Sequence, residues 1–292
     1  MSLKKDLILR SPRSGRLEGR TEAGTGENGH PPVILIAGPT ASGKSALALE
    51  LAAALGGMII NADALQIYRD LRILSARPDE AALARVPHRL YGYLDAAERG
   101  SAGRWRELAL LEIAASHRAG RVPIVVGGTG LYLRALQHGL AAIPPIPAAI
   151  REEAAGLYRV LGGAAFRERL ATLDPVAAAR LSPGDRQRLM RAWEVVHATG
   201  RPIGEWQAGP AAASPFRFAS ILLAPPREAL YAACNVRFHG MIAAGALDEA
   251  ATLAARGLDP ELPAMKAVGV AELLRHLRGD IALDEADRKS VV

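Results

Sequence analysis

At 292 residues the chain is long enough to bury a sizeable core and to hold one or two domains. Half of it is hydrophobic, yet no run of about 18 apolar residues goes without a charge, which excludes a helical membrane span within the sequence. The formal net charge of +6 suits a polyanionic partner, but the arginine-, alanine- and glycine-rich composition is also what a GC-rich genome produces, so charge alone identifies no partner.

Cys234 is the sole cysteine. An intrachain disulfide and a cysteine-based zinc site are therefore out, and a reducing cytoplasm fits. The lysines near the start are followed only by Leu7-Ile8-Leu9, too short for a signal-peptide core. Residues 1–32 mix Gly, Ser, Arg, Glu and Thr with few large apolar side chains and read as a disordered extension. Val33-Ile34-Leu35-Ile36-Ala37 is a short β-branched run typical of a buried parallel strand. A helix is predicted over 46–55, closed by Gly56-Gly57, and a second strand at Met58-Ile59-Ile60 ends at Asn61-Ala62-Asp63. Ser101 caps a predicted helix running to His117, with Gly120 just past its end. A third strand over 122–126 leads through Gly127-Gly128-Thr129-Gly130 into a helix over 131–138. Strands alternating with helices predict an α/β fold with a parallel sheet. After Gly139 the pattern changes: Pro144-Pro145-Ile146-Pro147 is a stiff linker, and 148–199 shows helical periodicity without a strand. An apolar run returns at 216–223, with helices from Arg227 onward. The expected organisation is an α/β core over 33–144 and 208–292, interrupted by an all-helical insertion over 145–207.

The strongest chemical signal is Gly38-Pro39-Thr40-Ala41-Ser42-Gly43-Lys44-Ser45. It fits the P-loop pattern G-x-x-x-x-G-K-[ST] at every position and lies between a predicted strand and a predicted helix, the context that pattern requires. Glycines let successive backbone N–H groups converge on phosphate oxygens at a helix N-terminus, Lys44 adds a point charge, and the Ser45 hydroxyl can hold Mg²⁺. Such a loop binds a di- or triphosphate without specifying the reaction. Asp63 sits at the C-terminal end of the second strand, the edge where open α/β sheets bind ligands. A carboxylate there suits two roles, ordering magnesium waters as in a kinase or taking a proton as general base; capping a turn is the bland alternative. Thr129 lies on the same edge, where its hydroxyl can reach a phosphate or cap the following helix. Arg237 falls in a helix whose apolar stripe includes Leu230, Cys234 and Met241; by spacing alone an arginine there belongs more often to a solvated face. The histidines show no ligand spacing, and Trp105, Trp193 and Trp206 read as packing residues.

Taken together, the order of these motifs resembles the tRNA dimethylallyltransferase (tRNA isopentenyltransferase) family. The loop has that family's GPTASGK[ST] form, and Asp63-Ala64-Leu65-Gln66-Ile67-Tyr68 is similar to its D-S-x-Q-[VI]-Y. Ala76-Arg77-Pro78, Pro87-His88-Arg89-Leu90, the run 120–132, Asp174-Pro175, Asp185-Arg186-Gln187-Arg188 with Arg191, and Arg237-Phe238 follow in order. The resemblance spans about residues 33–278. It implies a P-loop NTPase-like parallel sheet flanked by helices, and a loop, Gly38 to Ser45, that holds dimethylallyl diphosphate with Mg²⁺ rather than ATP. It implies that Asp63 is the general base on the exocyclic amine of a target adenine, and that Lys44, Thr129 and Arg237 stabilise the departing diphosphate. Gln66 with Asp63, Ala64, Leu65 and Thr129 would hold the flipped adenine. Arg151 and the stretch Gln187, Arg188, Leu189, Met190 and Arg191 would contact tRNA, the helical insertion gripping the anticodon stem-loop. The implied enzyme is a cytoplasmic monomer without membrane attachment. Three features depart from the family pattern: Ala64 replaces its usual Ser, Leu74-Ser75 stands where Gly-Thr is commoner, and the chain stops at Val292 where the family continues with a basic helix, so a C-terminal truncation is expected. A P-loop nucleoside or small-molecule kinase, an adenylate isopentenyltransferase, and a non-enzymatic RNA-binding homologue are the competing readings.

Overall fold

Strands buried on both faces of a sheet need branched apolar side chains at odd and even positions alike, and the core of this chain is built on such runs. The computed structural model describes Leu7–Leu9 and residues 32–290. Its strands are β1 (Leu7–Leu9), β2 (Val33–Ala37), β3 (Met58–Asn61), β4 (His88–Arg89), β5 (Pro123–Gly127) and β6 (Phe218–Leu223). They form one sheet in the order β1-β6-β2-β5-β3-β4. All neighbours are parallel except β1, which pairs antiparallel with β6. The disordered extension expected over 1–32 falls outside the described residues, apart from β1 and Pro32.

The sheet belongs to a unit that runs to Gln137 and resumes at Ser214; His138–Ala213 forms a second unit. On one face, Val33 and Leu35 of β2, Ile60 of β3 and Val125 of β5 pack with Trp105, Ala109 and Ile113 of α3 (Ala102–Arg118) and with Tyr132, Leu133 and Leu136 of α4 (Gly130–His138). On the other, Ile36, Ile59, Ile124 and Val126 cover Ala48 and Ala52 of α1 (Lys44–Leu55). Alternate residues of each strand thus feed opposite faces, the period-2 rule operating inside a run that reads as uniformly apolar. α3 starts where Ser101 accepts from the Arg104 N–H, and α1 stops at Gly56 in the left-handed conformation, φ 61°. The expected helix over 46–55 begins two residues earlier, at Lys44. Two short elements have too few residues for periodicity to reveal: α2 (Glu80–Arg85), capped by Asp79, and β4. Among the described residues no helix is long and apolar enough to cross a membrane.

The second unit contains α5 (Ala148–Ala171), α6 (Pro175–Arg180), α7 (Arg186–Thr199) and α8 (Ile203–Ala208), and no strand is described in it. Its core joins Phe166, Leu170, Leu189 and Trp193, with Tyr158 stacked obliquely on Phe166. Two aspartates of the family-like motifs set the helix starts. Asp174 accepts from the Ala177 N–H at 2.9 Å and opens α6, and Asp185 accepts from the Arg188 N–H at 3.3 Å and opens α7. Each satisfies an orphan donor and places negative charge at a positive helix end.

Two glycines lead to opposite expectations. A Cβ on Gly127 would lie 2.1 Å from the Ala62 carbonyl oxygen, whereas one on Gly156, in α5, would meet nothing within 4 Å. Gly127→Ala is expected to lose about 3 kcal/mol by forcing β3 and β5 apart, and Gly156→Ala to gain about 0.5–1 kcal/mol by restricting the unfolded chain. Urea unfolding of both variants checks the pair.

Candidate active site

Three chain segments leave the sheet at the same edge because their strands are neighbours in register. Ala37 of β2 pairs with Gly127 of β5, and Val126 of β5 pairs with Asn61 of β3. The loop after β2, the turn after β3 and the turn after β5 therefore emerge side by side, at the carboxyl edge where open α/β sheets bind ligands.

The loop Gly38 to Ser45 wraps the N-terminus of α1. A Cβ on Gly38 would sit 2.6 Å from the Leu223 carbonyl of β6, so only glycine fits there, and Gly43, at φ 87°, turns the chain into α1. Lys44 and Ser45 fall in the first helical turn, whose N–H groups have no partner within the helix. The Lys44 ammonium donates to the Pro39 carbonyl at 2.5 Å. The Ser42 hydroxyl is buried without a hydrogen bond among the described residues, while Ser45 is exposed. Pro39 and Thr40 line the neighbouring cavity; Ala41 holds a left-handed φ of 60°. A curled loop, an orphaned hydroxyl and a helix N-terminus make an anion cradle.

The turn after β3 is organised by Asn61, which is fully buried. Its side-chain oxygen accepts from the Asp63 N–H at 2.9 Å, and its amide donates to the carbonyls of Asp63 and Leu90, each at 3.0 Å. Asp63 in turn accepts through Oδ1 from the Leu65 N–H at 2.9 Å and the Gln66 N–H at 3.4 Å. Its Oδ2 carries no hydrogen bond among the described residues and lies 4.0 Å from the position a Cβ on Gly128 would take. One carboxylate oxygen fixes the side chain and the other is left for chemistry. Thr129 ties the two turns together, its hydroxyl oxygen accepting from the Ala64 N–H at 2.9 Å and its N–H donating to Ala62 at 3.3 Å. The hydroxyl proton stays available to an anion. The Gln66 amide nitrogen donates to the carbonyls of Ser75 and Ala76, at 2.9 and 3.0 Å, so only its side-chain oxygen is left to read a base.

A cavity of about 490 Å³ opens beside this edge, lined by Asp63, Leu65 and Leu74 and by residues of α9 (Arg227–Ala243). Leu230, Cys234, Arg237, Phe238 and Met241 of α9 face it. By spacing alone a solvated face was the commoner expectation for Arg237; instead it is half-buried on the cavity wall, beside the apolar stripe of Leu230, Cys234 and Met241 that lines the same cavity. Burial pushes the Lys44 ammonium below the ordinary lysine range, the Asp63 carboxylate pulls it back up, and the Arg237 guanidinium lowers it again. Burial likewise lowers Arg237, with Cys234 and Asp63 acting in the opposite sense. Burial first and the Asp63 charge second push the Tyr91 phenol upward. Lys44, Asp63 and Arg237 thus sense one another as a single charge cluster.

The family profile described as IPP transferase matches residues 66–291. The chain belongs to the IPP transferase family. Over 257 residues it is 62% identical to a tRNA dimethylallyltransferase of Rhodospirillum centenum, covering 87% of this chain and 82% of that protein. A Rhodospirillum rubrum protein of the same name is 55% identical over 260 residues, 88% of this chain and 80% of that one. Among solved structures, the full-length tRNA isopentenylpyrophosphate transferase of Bacillus halodurans is similar with a TM-score of 0.62 and 32% identity, over 89% of this chain and 81% of its own. A eukaryotic dimethylallyltransferase acting on tRNA gives a TM-score of 0.73 at 26% identity, over 88% of this chain and 65% of its own.

The remaining residues singled out from the sequence of this IPP transferase lie in the second unit. Arg151 is exposed but donates to the Ile146 carbonyl at 2.8 Å. Gln187 and Arg188 are exposed, with Arg188 paired to Asp185 at 3.1 Å, and Arg191 pairs with Glu194 at 3.4 Å. Leu189 needs correction as an RNA contact: it is 0% exposed in the core of its unit, and Met190 packs against that core. A contiguous stretch on a helix cannot present every side chain to a partner, since successive residues point about 100° apart. Sequence reading also passed over Asn61 as an organiser, although an Asn two residues before an Asp at a strand end is a turn signal.

A depressed Lys44 gives a pH signature. The lysine loses its charge at a lower pH than an ordinary one, so affinity for inorganic diphosphate should fall with rising pH already below the ordinary lysine range. Lys44→Arg, charged throughout that range, should abolish the fall; calorimetric titration across the range measures both.

Proposed function

We propose that the chain transfers a dimethylallyl group from dimethylallyl diphosphate to the exocyclic amine of the tRNA adenosine next to the anticodon on its 3′ side, releasing diphosphate. The shared name of its relatives supports the reaction and the tRNA substrate. The observation that carries the assignment to this site is a cavity lined by Asp63, Arg237 and apolar side chains, with the Asp63 charge felt by both Arg237 and the Lys44 of the neighbouring loop.

In this reading the loop N–H groups and Lys44 take the diphosphate, and the five-carbon chain lies against Leu65, Leu74, Leu230 and Phe238. The adenine amine attacks the first carbon of the chain as the carbon–oxygen bond to the diphosphate breaks, the bonding pair leaving with the diphosphate. Lys44, Arg237 and the Thr129 hydroxyl offset the charge that develops on it. The amine becomes cationic as the new carbon–nitrogen bond forms, and Asp63 Oδ2 takes its extra proton. An amine of adenine is a poor nucleophile, so holding it against the donor supplies much of the acceleration. The base must leave its stack to reach the cavity. The helical unit, with Arg151, Gln187, Arg188 and Arg191, is assigned to tRNA.

Among the described residues no group of three or more His, Cys, Asp or Glu could hold a metal by itself. The Ser45 hydroxyl at the first turn of α1 suits Mg²⁺, a hard cation that is usually bound by few protein oxygens together with substrate phosphates and water. When bound there it would supply charge neutralisation on the diphosphate. The enzyme is read as a cytoplasmic monomer.

Asp63→Ala should slow single-turnover transfer of labelled prenyl to unmodified tRNA by at least about 100-fold, the scale of a general base, with tRNA affinity unchanged. A wild-type rate would remove Asp63 from the role. Diphosphate should be released only when prenyl donor and tRNA are both present; phosphate transfer from ATP would favour a kinase instead.

A further inference from the structure

Glu249, on α10 (Ala246–Ala255), reaches across to a turn far from it in sequence. Its Oε2 accepts from the N–H groups of Arg72 and Ile73, at 2.9 and 2.8 Å, and its Oε1 accepts from that of Leu74 at 2.9 Å. Three backbone donors on one carboxylate are charge-assisted bonds, the strong kind. They cap the turn from outside, in place of a residue of the turn itself.

What the turn does next makes the contact matter. Its C-terminal part closes with the Ala76 N–H on Ile73 and the Arg77 N–H on Arg72, at 2.9 and 3.0 Å, and Ala76 is held at φ 50°. A left-handed alanine persists only where its surroundings determine it. The carbonyls of Ser75 and Ala76 then receive both bonds of the Gln66 amide nitrogen, and the Gln66 N–H donates to Asp63 Oδ1. Leu74 and Ser75 line the cavity. A continuous path of hydrogen bonds therefore runs from Glu249 through the turn and Gln66 to the Asp63 carboxylate. We propose that Glu249 is a positioning residue for Asp63, setting through this turn the direction of the oxygen that accepts the proton. The proposal rests on the general-base reading of Asp63.

Glu249 is one of two polar anchors of α10. Arg256, just past the end of that helix, pairs with Asp70 at 2.5 Å and with Asp95 at 2.7 Å, an independent anchor to the same region. Removing the Glu249 carboxylate should loosen the turn while leaving α10 docked.

The test is a double-mutant cycle on single-turnover prenyl transfer from dimethylallyl diphosphate to unmodified tRNA, with inorganic diphosphate affinity and thermal unfolding measured alongside. Glu249→Ala should slow transfer on the order of tenfold to a hundredfold, the cost of a small misplacement at the reacting centre, with diphosphate affinity unchanged. Glu249→Gln, which keeps one acceptor oxygen, should recover part of the rate. In an Asp63→Ala background Glu249→Ala should change little, because the group it positions is gone. An unchanged rate for Glu249→Ala, or the same factor lost on both backgrounds, overturns the proposal. A wild-type rate for Asp63→Ala alone would instead sink the general-base reading. Should Glu249→Ala unfold at the assay temperature, Glu249→Gln takes its place in the same cycle: a loss confined to the Asp63 background supports the proposal, and no loss or an equal loss on both backgrounds overturns it.

Discussion

One carboxylate, Asp63, is coupled to two partly buried cations, Lys44 of the phosphate-type loop and Arg237 of the cavity wall, and makes both tolerable there. Burial lowers the proton affinity of both Lys44 and Arg237, while the Asp63 charge opposes that shift in each. An isolated ion in such a place would be costly, whereas a set of opposite charges with hydrogen-bonded oxygens is not. The excess of positive over negative charge then matters for function. Lys44 and Arg237 against Asp63 leave this cluster with a net attraction for a diphosphate, and that ligand completes the neutralisation which the protein leaves unfinished.

The sheet is what brings these groups within range. Lys44 follows β2, Asp63 follows β3 and Thr129 follows β5, and the parallel register of those three strands puts their carboxyl ends together. Local chemistry then aims each side chain: Asn61 holds the turn after β3, and the Thr129 hydroxyl pins that turn to the next at Ala64. Close backbone contacts leave no room for error. The approach of Gly127 to Ala62 and of Gly38 to Leu223 requires glycine at both places, since a Cβ at either would strike a carbonyl oxygen. Rigid elements with tightly approached backbones suit a site whose groups must be held before the substrate arrives.

Much of this was legible in the sequence, and the reason is periodicity joined to punctuation. β2, β3 and β5 stand out as short branched apolar runs and β6 as a looser apolar one, α3 carries its Ser101 cap, and the loop Gly38 to Ser45 matches a pattern whose physics is specific. α2 and β4 were not legible, being shorter than the windows in which a period can be counted. Arg237 illustrates a deeper limit. Its helix has an apolar stripe whether that stripe packs on a core or lines a cavity, and spacing cannot tell the two apart. Leu189 shows the converse: a motif-like run on α7 names neighbours together that the helix then separates, Leu189 to the core and Arg188 before it to solvent. Glu249 carried no local signal at all, because its partners at 72–74 lie far away in the chain and only the fold brings the two together.

The character of the second wall is what separates alkyl transfer from phosphoryl transfer on such a cradle. A phosphate-binding loop with a strand-end acid serves a kinase equally well, and nothing in Gly38 to Ser45 decides between them. Beside the cradle, however, the cavity lining includes Leu65, Leu74, Leu230, Phe238 and Met241. Against those side chains a hydroxylated phosphoryl acceptor would leave polar groups unsatisfied, its partners confined to the polar part of the lining, Ser75, Arg227 and Tyr231 among it. An allylic chain finds the reverse, apolar surface to bury and little water to intercept the electron-poor carbon as its diphosphate leaves. Arg237 sits on that same apolar wall one residue from Phe238, so a single helix supplies both the surface for the hydrocarbon and the charge for its leaving group. Binding the chain and releasing the diphosphate are thereby tied to the position of α9.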